Sequence, residues 1–493
     1  MARKYLMLWL GGALVAGCAA TQSGEAQQGQ IRTATAMSQS ERDQGAKAHP
    51  ELLAEFGGLY SGPQAAYVAT VGRRIAVQSS LSNQQNDFTI SLLNSSVNNA
   101  FAVPGGYVYV TRQLLALMND EAELAGVLGH EVGHVAAQHS QRRQSAATRN
   151  SILGVLGQVL VGAVAGDSGL GQLLQRGIGT GTQLLTLKFS RTQEYEADDL
   201  GIRYLVSAGY DPKALSSMLA SLAAQNSLDG RVRGQASAIP EWASTHPDPA
   251  SRVRRALTNA QATRSTNTMR NRDTFLGNLG GMLYGDDPKE GIISGSQFLH
   301  PAMKLKFTAP SGFSIQNSTA AVIVAGQSGQ AQFSMAKFGG NLESYVQSVF
   351  TQLAGQGQSP SINLQRTTIN GLPAAHGSAG MSNSQGTRMD VTVVAYQFGP
   401  STAYHFVVIT PQGQGLGALS SLINSVSRMS DAEAAAIKPR RIQLVTVRQG
   451  DTTKSLASRM AYTDHQLDRF LVLNGLGTNA TLPVGQRVKI VTY

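Results

Sequence analysis

The stretch His130–Glu131–Val132–Gly133–His134 decides how the rest of this chain is read. It has the pattern H-E-x-x-H inside a run of helical periodicity. On a helix, positions i and i+4 share one face a turn apart, so both imidazoles reach a single ion. Imidazole nitrogen suits Zn2+, and Glu131 is placed to take a proton from a metal-activated water. Upstream, Asp120 is the expected N-cap, and Leu124, Val127, Leu128, Val132 and Val135 form the expected buried stripe. Arg142 and Arg143 lie beyond the end where positive charge suits the helix dipole. Glu123 sits two turns before His130 on a similar face, and reads equally as a cap or as a carboxylate that orients a ligand.

Further along, Ser190–Arg191–Thr192–Gln193–Glu194–Tyr195–Glu196–Ala197–Asp198 opens another helix and sets Glu194 and Asp198 at i, i+4. Acidic residues near a helix start are favoured by the dipole in any case, so this pair assigns nothing alone. Before the metal helix, Gly105–Gly106 marks a turn and Tyr107–Thr111 a strand. Pro104 makes the preceding Ala100, Phe101, Ala102 and Val103 an edge segment, where an extended peptide can add as a further strand. Helical periodicity runs from Glu51 through Tyr67 to Ser79, and Phe88–Leu92 alternates as a strand does. Residues 151–187 are rich in Gly, Leu, Val and Ala. The charge-free run Ser151–Gly166 is shorter than the roughly 18–20 residues of a membrane span, which predicts a packed helical hairpin.

Four stretches together, N-A-F-A-x-P-G-G, D-E-A-E-L-x-x-V-L-x-H-E-x-G-H, S-R-x-x-E-x-E-A-D and T-H-P, resemble the HtpX-like zinc metallopeptidases, the gluzincins of peptidase family M48, in their periplasmic branch. The resemblance covers roughly residues 50 to 260. It implies a mainly α-helical zincin-like peptidase domain with a small edge β-sheet, holding one Zn2+ per chain. It makes His130, His134 and Glu194 the zinc ligands, Glu131 the catalytic base and Asp198 a residue that orients a ligand. Two imidazoles and a carboxylate leave one open position, the layout of a catalytic site. His246, in Thr245–His246–Pro247, is implied either as a donor to the oxyanion or as a further ligand in a closed resting state. Arg252 is implied as structural.

Beyond residue 262 the reading changes character. Residues 263–300 are polar and Gly-rich, a linker ordered in part. Residues 301–432 alternate as an α+β module, with strands at Leu305–Thr308, Ala320–Val324, Gln332–Ala336, Thr367–Ile369, Arg388–Phe398 and Ala403–Ile409 and helices at Leu342–Leu353 and Leu419–Val426. That module is similar to the photosystem-P-like or Mog-like small α/β modules, and its His300, His376 and His405 are isolated, structural residues. Val445–Thr446–Val447, Gly450–Asp451–Thr452, Leu473–Asn474–Gly475 and Leu482–Pro483–Val484–Gly485–Gln486 resemble a LysM module over 440–493, which implies a βααβ fold and peptidoglycan binding through residues 443–492. The chain is therefore expected to be multidomain.

The chain has 493 residues, enough for several cores, with 14% charged residues, 53 glycines and a net charge of +10. No compact Lys/Arg cluster with interleaved aromatics is present, which argues against nucleic acid as a partner. The single cysteine, Cys18, rules out an internal disulfide. Arg3 and Lys4, the apolar run Tyr5–Val15 and then Val15–Ala16–Gly17–Cys18 resemble a lipoprotein signal. Residues 1–17 would be removed, Cys18 acylated for the outer membrane of a Gram-negative envelope, and 18–48 left as a flexible tether ahead of a peptidase domain at 49–262. The whole predicts a periplasmic, lipid-anchored zinc endopeptidase for unfolded or misassembled envelope proteins. The alternative is an envelope assembly or wall-binding lipoprotein in which proteolysis is dispensable.

Overall fold

A capping box at Ser38 opens the first helix: Ser38 Oγ accepts from Glu41 N at 3.2 Å, and Glu41 Oε2 accepts from Ser38 N at 2.8 Å. The resulting α1 (Gln39–Glu55) takes in residues 39–48, which the sequence reading assigned to the tether. Their few apolar residues hide a helix whose packing rests on close approach. A Cβ on Gly45 would meet Pro104 O at 2.4 Å. The computed structural model describes residues 31, 33–142, 189–233, 246, 248–318, 321–354, 362–382 and 388–493. Cys18 and the expected hairpin at 151–187 lie outside the described residues.

The amphipathic α2 (Gln64–Ala76) buries Val68, Val71 and Ile75. Strands β1 (Thr89–Leu93), β2 (Ala100–Val103) and β3 (Tyr107–Thr111) form a sheet in the order β1-β3-β2, parallel between β1 and β3 and antiparallel between β2 and β3. The β2–β3 turn needs glycine at Gly105 and Gly106, whose φ angles are +93° and +88°. A side chain there would also meet Glu41 O or Asp87 O at 2.4 Å. As expected from Pro104, β2 is an edge strand.

Five helices complete this region: α3 (Arg112–Leu117), α4 (Glu121–Ala136), α5 (Arg191–Ser207), α6 (Ala214–Arg233) and α7 (Pro249–Ala262). Helix α4 is buried on nearly every face and not along one stripe; only Val135 is half-exposed. Small residues set its distance from α5. A Cβ on Gly133 would approach Ala197 O to 3.2 Å, and one on Gly201 would approach His130 N to 3.1 Å. The two backbones therefore lie close enough for short acidic side chains on α5 to reach the histidines of α4.

The expected linker is largely structured, with α8 (Arg272–Leu279) and β4 (Leu283–Tyr284). The module after it begins with β5 (Ile292–Ser294), β6 (Gln297–His300), β7 (Leu305–Thr308), β8 (Ser314–Asn317), β9 (Val322–Gly326) and β10 (Gly329–Met335). Helix α9 (Leu342–Ala354) and strands β11 (Gln365–Ile369), β12 (Leu372–Ser382), β13 (Arg388–Gly399) and β14 (Thr402–Pro411) follow. Then come α10 (Ser420–Ser425), β15 (Ser427–Arg428) and α11 (Asp431–Ala436). A seven-stranded sheet runs β11-β12-β13-β14-β10-β9-β8, and a smaller one β15-β7-β6-β5. Along β13, Val394 and Tyr396 face the core built on Phe307 and Phe406, while Val391, Val393 and Ala395 face the one under α9. His405 is buried there beside the Tyr345 hydroxyl at 2.9 Å, in keeping with a structural role.

The final βααβ unit comprises β16 (Arg440–Thr446), α12 (Thr453–Ala457), α13 (Gln466–Leu473) and β17 (Arg487–Thr492). It does not stand apart. Its sheet is three-stranded, β17-β16-β4, with β4 supplied by the expected linker. Lys489 on β17 is fully buried and donates from Nζ to Ala116 O at 2.7 Å and Met118 O at 2.5 Å, the carbonyls just before α4. No helix among the described residues is long and apolar enough to cross a membrane.

Candidate metal and catalytic site

Asp120 caps α4 by accepting from Glu123 N at 2.9 Å, which fixes the helix register nearly three turns ahead of His130. A second capping box, Ser190 with Gln193, starts α5 and sets Glu194 in its first turn. Asp248 accepts from Ser251 N and Pro249 occupies the first turn of α7, which presents Arg252. These three starts fix the positions of the charged side chains that converge between the helices.

His130, His134, Glu194 and His246 meet in one buried cluster, with one ligand atom from each lying within 4.8 Å of all the others. His130 Nε2 and His134 Nε2 are 3.1 Å apart, and the Glu194 carboxylate lies 3.7 Å from the first and 3.5 Å from the second. His246 Nδ1 is 3.0 Å from Glu194 Oε1 and 3.5 Å from His130 Nε2. The expected three donors with one open position are thus four converging donors, His246 being the fourth. Glu131 is buried beside them, its Oε1 without a hydrogen bond and 3.6 Å from His246 Nε2.

Behind the cluster the outward ring nitrogens are held. His130 Nδ1 lies 3.0 Å from Asp198 Oδ1. Arg252 donates from Nε to Asp198 Oδ2 at 2.9 Å, from Nη2 to Oδ1 at 2.5 Å, and from Nη1 to Glu194 Oε2. Arg252 therefore clamps both acidic residues of α5, a closer part in the site than the structural role first expected. Behind His134 stands His139, which the motif reading passed over. Its Nδ1 is 2.8 Å from His134 Nδ1, and its Nε2 is 3.0 Å from Glu196 Oε2. Glu123 stands away from all of this. Its carboxylate accepts from Asn119 N at 2.8 Å and Ser217 Oγ at 2.6 Å, so it secures the start of α4 and orients no ligand.

The electrostatics suit a cation. Burial depresses His130 and His134, leaving both neutral, the form that ligates; His130 and His246 depress His134 further. Burial would raise Glu194, but His246 and Arg252 outweigh it and hold the carboxyl below its usual value. Burial works against Asp198 in the same way, and Arg252 and His130 keep it well below the carboxylate range. Glu131 is different: burial pushes it up to about 8, with His246 pulling the other way. Burial would lower His246, yet Glu194 and Glu131 raise it. The neutral imidazoles of His130 and His134 aimed at one point, an ionised carboxylate and a buried Glu131 oxygen without a hydrogen bond together fit a divalent metal.

Residues 63–260 match the model of peptidase family M48, and residues 445–491 match the LysM domain. The beta-barrel assembly-enhancing protease of Yersinia pestis is 31% identical over 225 residues, 45% of this chain and 44% of that protein. The protein of the same name in Escherichia coli K12 is 30% identical over 213 residues, 43% of this chain and 42% of that protein. The mitochondrial metalloendopeptidase OMA1 of Schizosaccharomyces pombe is 31% identical over 225 residues, 44% of this chain and 61% of that protein. The chain thus spans less than half the length of the bacterial relatives it matches. Residues 63–260 are thus similar to peptidase family M48 and residues 445–491 to the LysM domain.

Proposed function

We propose that this chain is a zinc-dependent endopeptidase of the bacterial envelope that hydrolyses peptide bonds in unfolded or misassembled envelope proteins. The buried cluster of His130, His134, Glu194 and His246 beside Glu131, whose buried Oε1 accepts no hydrogen bond, carries the reading. His130, His134 and Glu194 would hold the metal, which when bound supplies a Lewis acid that polarises a carbonyl and acidifies water. Glu131 takes the proton of the attacking water and passes it to the leaving amine, as its buried position beside the cluster suits. An extended substrate adds as a strand along Ala100, Phe101, Ala102 and Val103 of β2. His246, the fourth donor, closes the resting site. Once displaced by substrate, its imidazole donates a hydrogen bond to the oxyanion. Asp198 orients His130 by accepting from its outer nitrogen.

Acylation of Cys18 would tether the chain to the outer membrane from the periplasmic side, which intact-mass measurement of the mature N-terminus tests. The LysM domain would hold the chain near peptidoglycan. Oligomers of N-acetylglucosamine are then expected to release the intact protein from purified wall in a sedimentation assay, and unchanged sedimentation would remove that role. Truncation at residue 440 is a poor alternative, because it strips β16 from β4 and Lys489 from the peptidase domain.

Glu131→Gln is the test of the enzyme reading. The variant keeps its metal by elemental analysis and loses about 10²–10⁴-fold in cleavage of an unfolded protein such as casein. Equal cleavage by variant and wild type would overturn it. One observation favours the second reading, an assembly or wall-binding protein: a closed four-donor set is also the layout of a structural metal site. Rescue of a deletion strain by Glu131→Gln would support that reading, and failure to rescue the enzyme.

A further inference from the structure

We propose that His139 and Glu196 are positioning residues that fix the ring and tautomer of His134, so that its Nε2 lone pair points at the metal; the inference rests on the metal site of the proposed function. A histidine that ligates through Nε2 must carry its ring proton on Nδ1, and that proton needs an acceptor. His130 has a carboxylate oxygen for it, Asp198 Oδ1 at 3.0 Å. His134 has none. The group facing its Nδ1 is His139 Nδ1, at 2.8 Å.

Only one proton arrangement satisfies that contact with both rings neutral and His134 ligating. His134 Nδ1–H donates to an unprotonated His139 Nδ1, so the His139 proton sits on Nε2. That nitrogen faces Glu196 Oε2 at 3.0 Å. Glu196 is held in turn by Arg142, which donates from Nη1 at 2.6 Å and from Nη2 at 3.3 Å. Gln193 Nε2 donates to the His139 backbone carbonyl at 3.1 Å, tying the turn to the start of α5. From His134 through His139 the hydrogen bonds thus run one way, from ligand through imidazole to an ionised carboxylate.

The backbone supports the same assignment. His139 lies five residues after His134, which on a continuous helix would rotate it roughly 140° away. The chain instead leaves α4 at Gln138, a non-glycine residue at φ +54°, and this left-handed step turns His139 back behind His134. Such a conformation persists where the surroundings require it. His139 is fully buried, and Phe189 stacks on the His134 ring with 3.9 Å between ring centres.

The test measures zinc affinity of the full chain in chelator competition, with peptide cleavage as a separate readout. His139→Phe fills the space but accepts no hydrogen bond, and is expected to weaken zinc binding about 10–100-fold. His139→Asn places an acceptor oxygen near the Nδ1 position and is expected to recover most of that loss. Glu196→Gln, at a partly exposed position that does not endanger folding, is expected to cost several-fold. In cobalt-substituted protein, the exchangeable proton of His134 Nδ1 gives a shifted resonance that exchanges faster in His139→Phe. Wild-type affinity in both His139→Phe and Glu196→Gln would overturn the proposal, as would equal losses in His139→Phe and His139→Asn. A wild-type chain that binds zinc without cleaving peptides would refute the proposed function and leave these affinity comparisons valid.

Discussion

The two ends of α4 carry buried polar clusters of opposite design. At the N-terminal end each charged group has partners. Arg270 donates to Asp120 at 2.8 Å, Tyr210 and Asn271 donate to Glu121 at 2.7 and 2.9 Å, and Ser217 donates to Glu123 at 2.6 Å. Lys489 reaches in from β17 to the two carbonyls that precede the helix. At the other end, two imidazole nitrogens face each other at 3.1 Å and a glutamate oxygen has no hydrogen bond. Both ends cost desolvation; at the second, hydrogen bonds hold Asp198, Glu194 and His139 but leave the buried Glu131 Oε1 without one. A satisfied network marks structure, and a network that only a cation completes marks function. Helix spacing alone does not tell Glu123 from Asp198; their partners do.

The contrast can be broken in order of effect. Glu194→Gln should remove the ionised donor of the metal end, lowering zinc affinity beyond the roughly 10–100-fold typical of an outer-shell loss. Zinc content after dialysis measures this, and a full complement would contradict the ligand role. At the other end, Lys489→Met should destabilise the metal-free protein by about 1–3 kcal/mol, since two buried carbonyls lose their donor. Zinc affinity should stay unchanged. Denaturant midpoints and chelator competition check the pair, and a variant that loses zinc without losing stability would reverse the assignment of the two ends.

A smaller effect is linked to pH. Burial raises Glu131 from 4.5 to about 8 in the metal-free protein. A carboxyl raised in the folded state contributes stability that is complete below its unfolded value and is lost as pH rises through the folded one. The difference in unfolding free energy between wild type and Glu131→Gln, both metal-free, should therefore slope between about pH 4.5 and 8 and level off above. A difference independent of pH would show that Glu131 is not held protonated.

Some strands were invisible in the residues. β12 reads Leu-Pro-Ala-Ala-His-Gly-Ser-Ala-Gly-Met-Ser, without β-branched residues, yet it runs as an interior strand between β11 and β13. Pairing on both sides supplies the backbone hydrogen bonds that local propensity does not encourage. β13, rich in valine, was legible because its side chains fill two cores at the period of a strand. His139 escaped because helical periodicity points it the wrong way, and only the positive φ at Gln138 brings it back.

The sequence by itself determined the metal helix, the acidic pair on the following capped helix, the edge strand before Pro104 and the closing βααβ unit. The first three rest on spacing within one element, which local geometry fixes; the βααβ unit is what the resemblance to a LysM module implies. Only the tertiary structure decided that His246 is a fourth donor, that Arg252 clamps Glu194 and Asp198, that Glu123 belongs to the other end of α4, and that Lys489 joins the LysM domain to the peptidase domain. These are pairings between distant segments. Packing selects them, through small residues such as Gly133 and Gly201 that let helices close to contact distance, and no periodicity within a single element records the result.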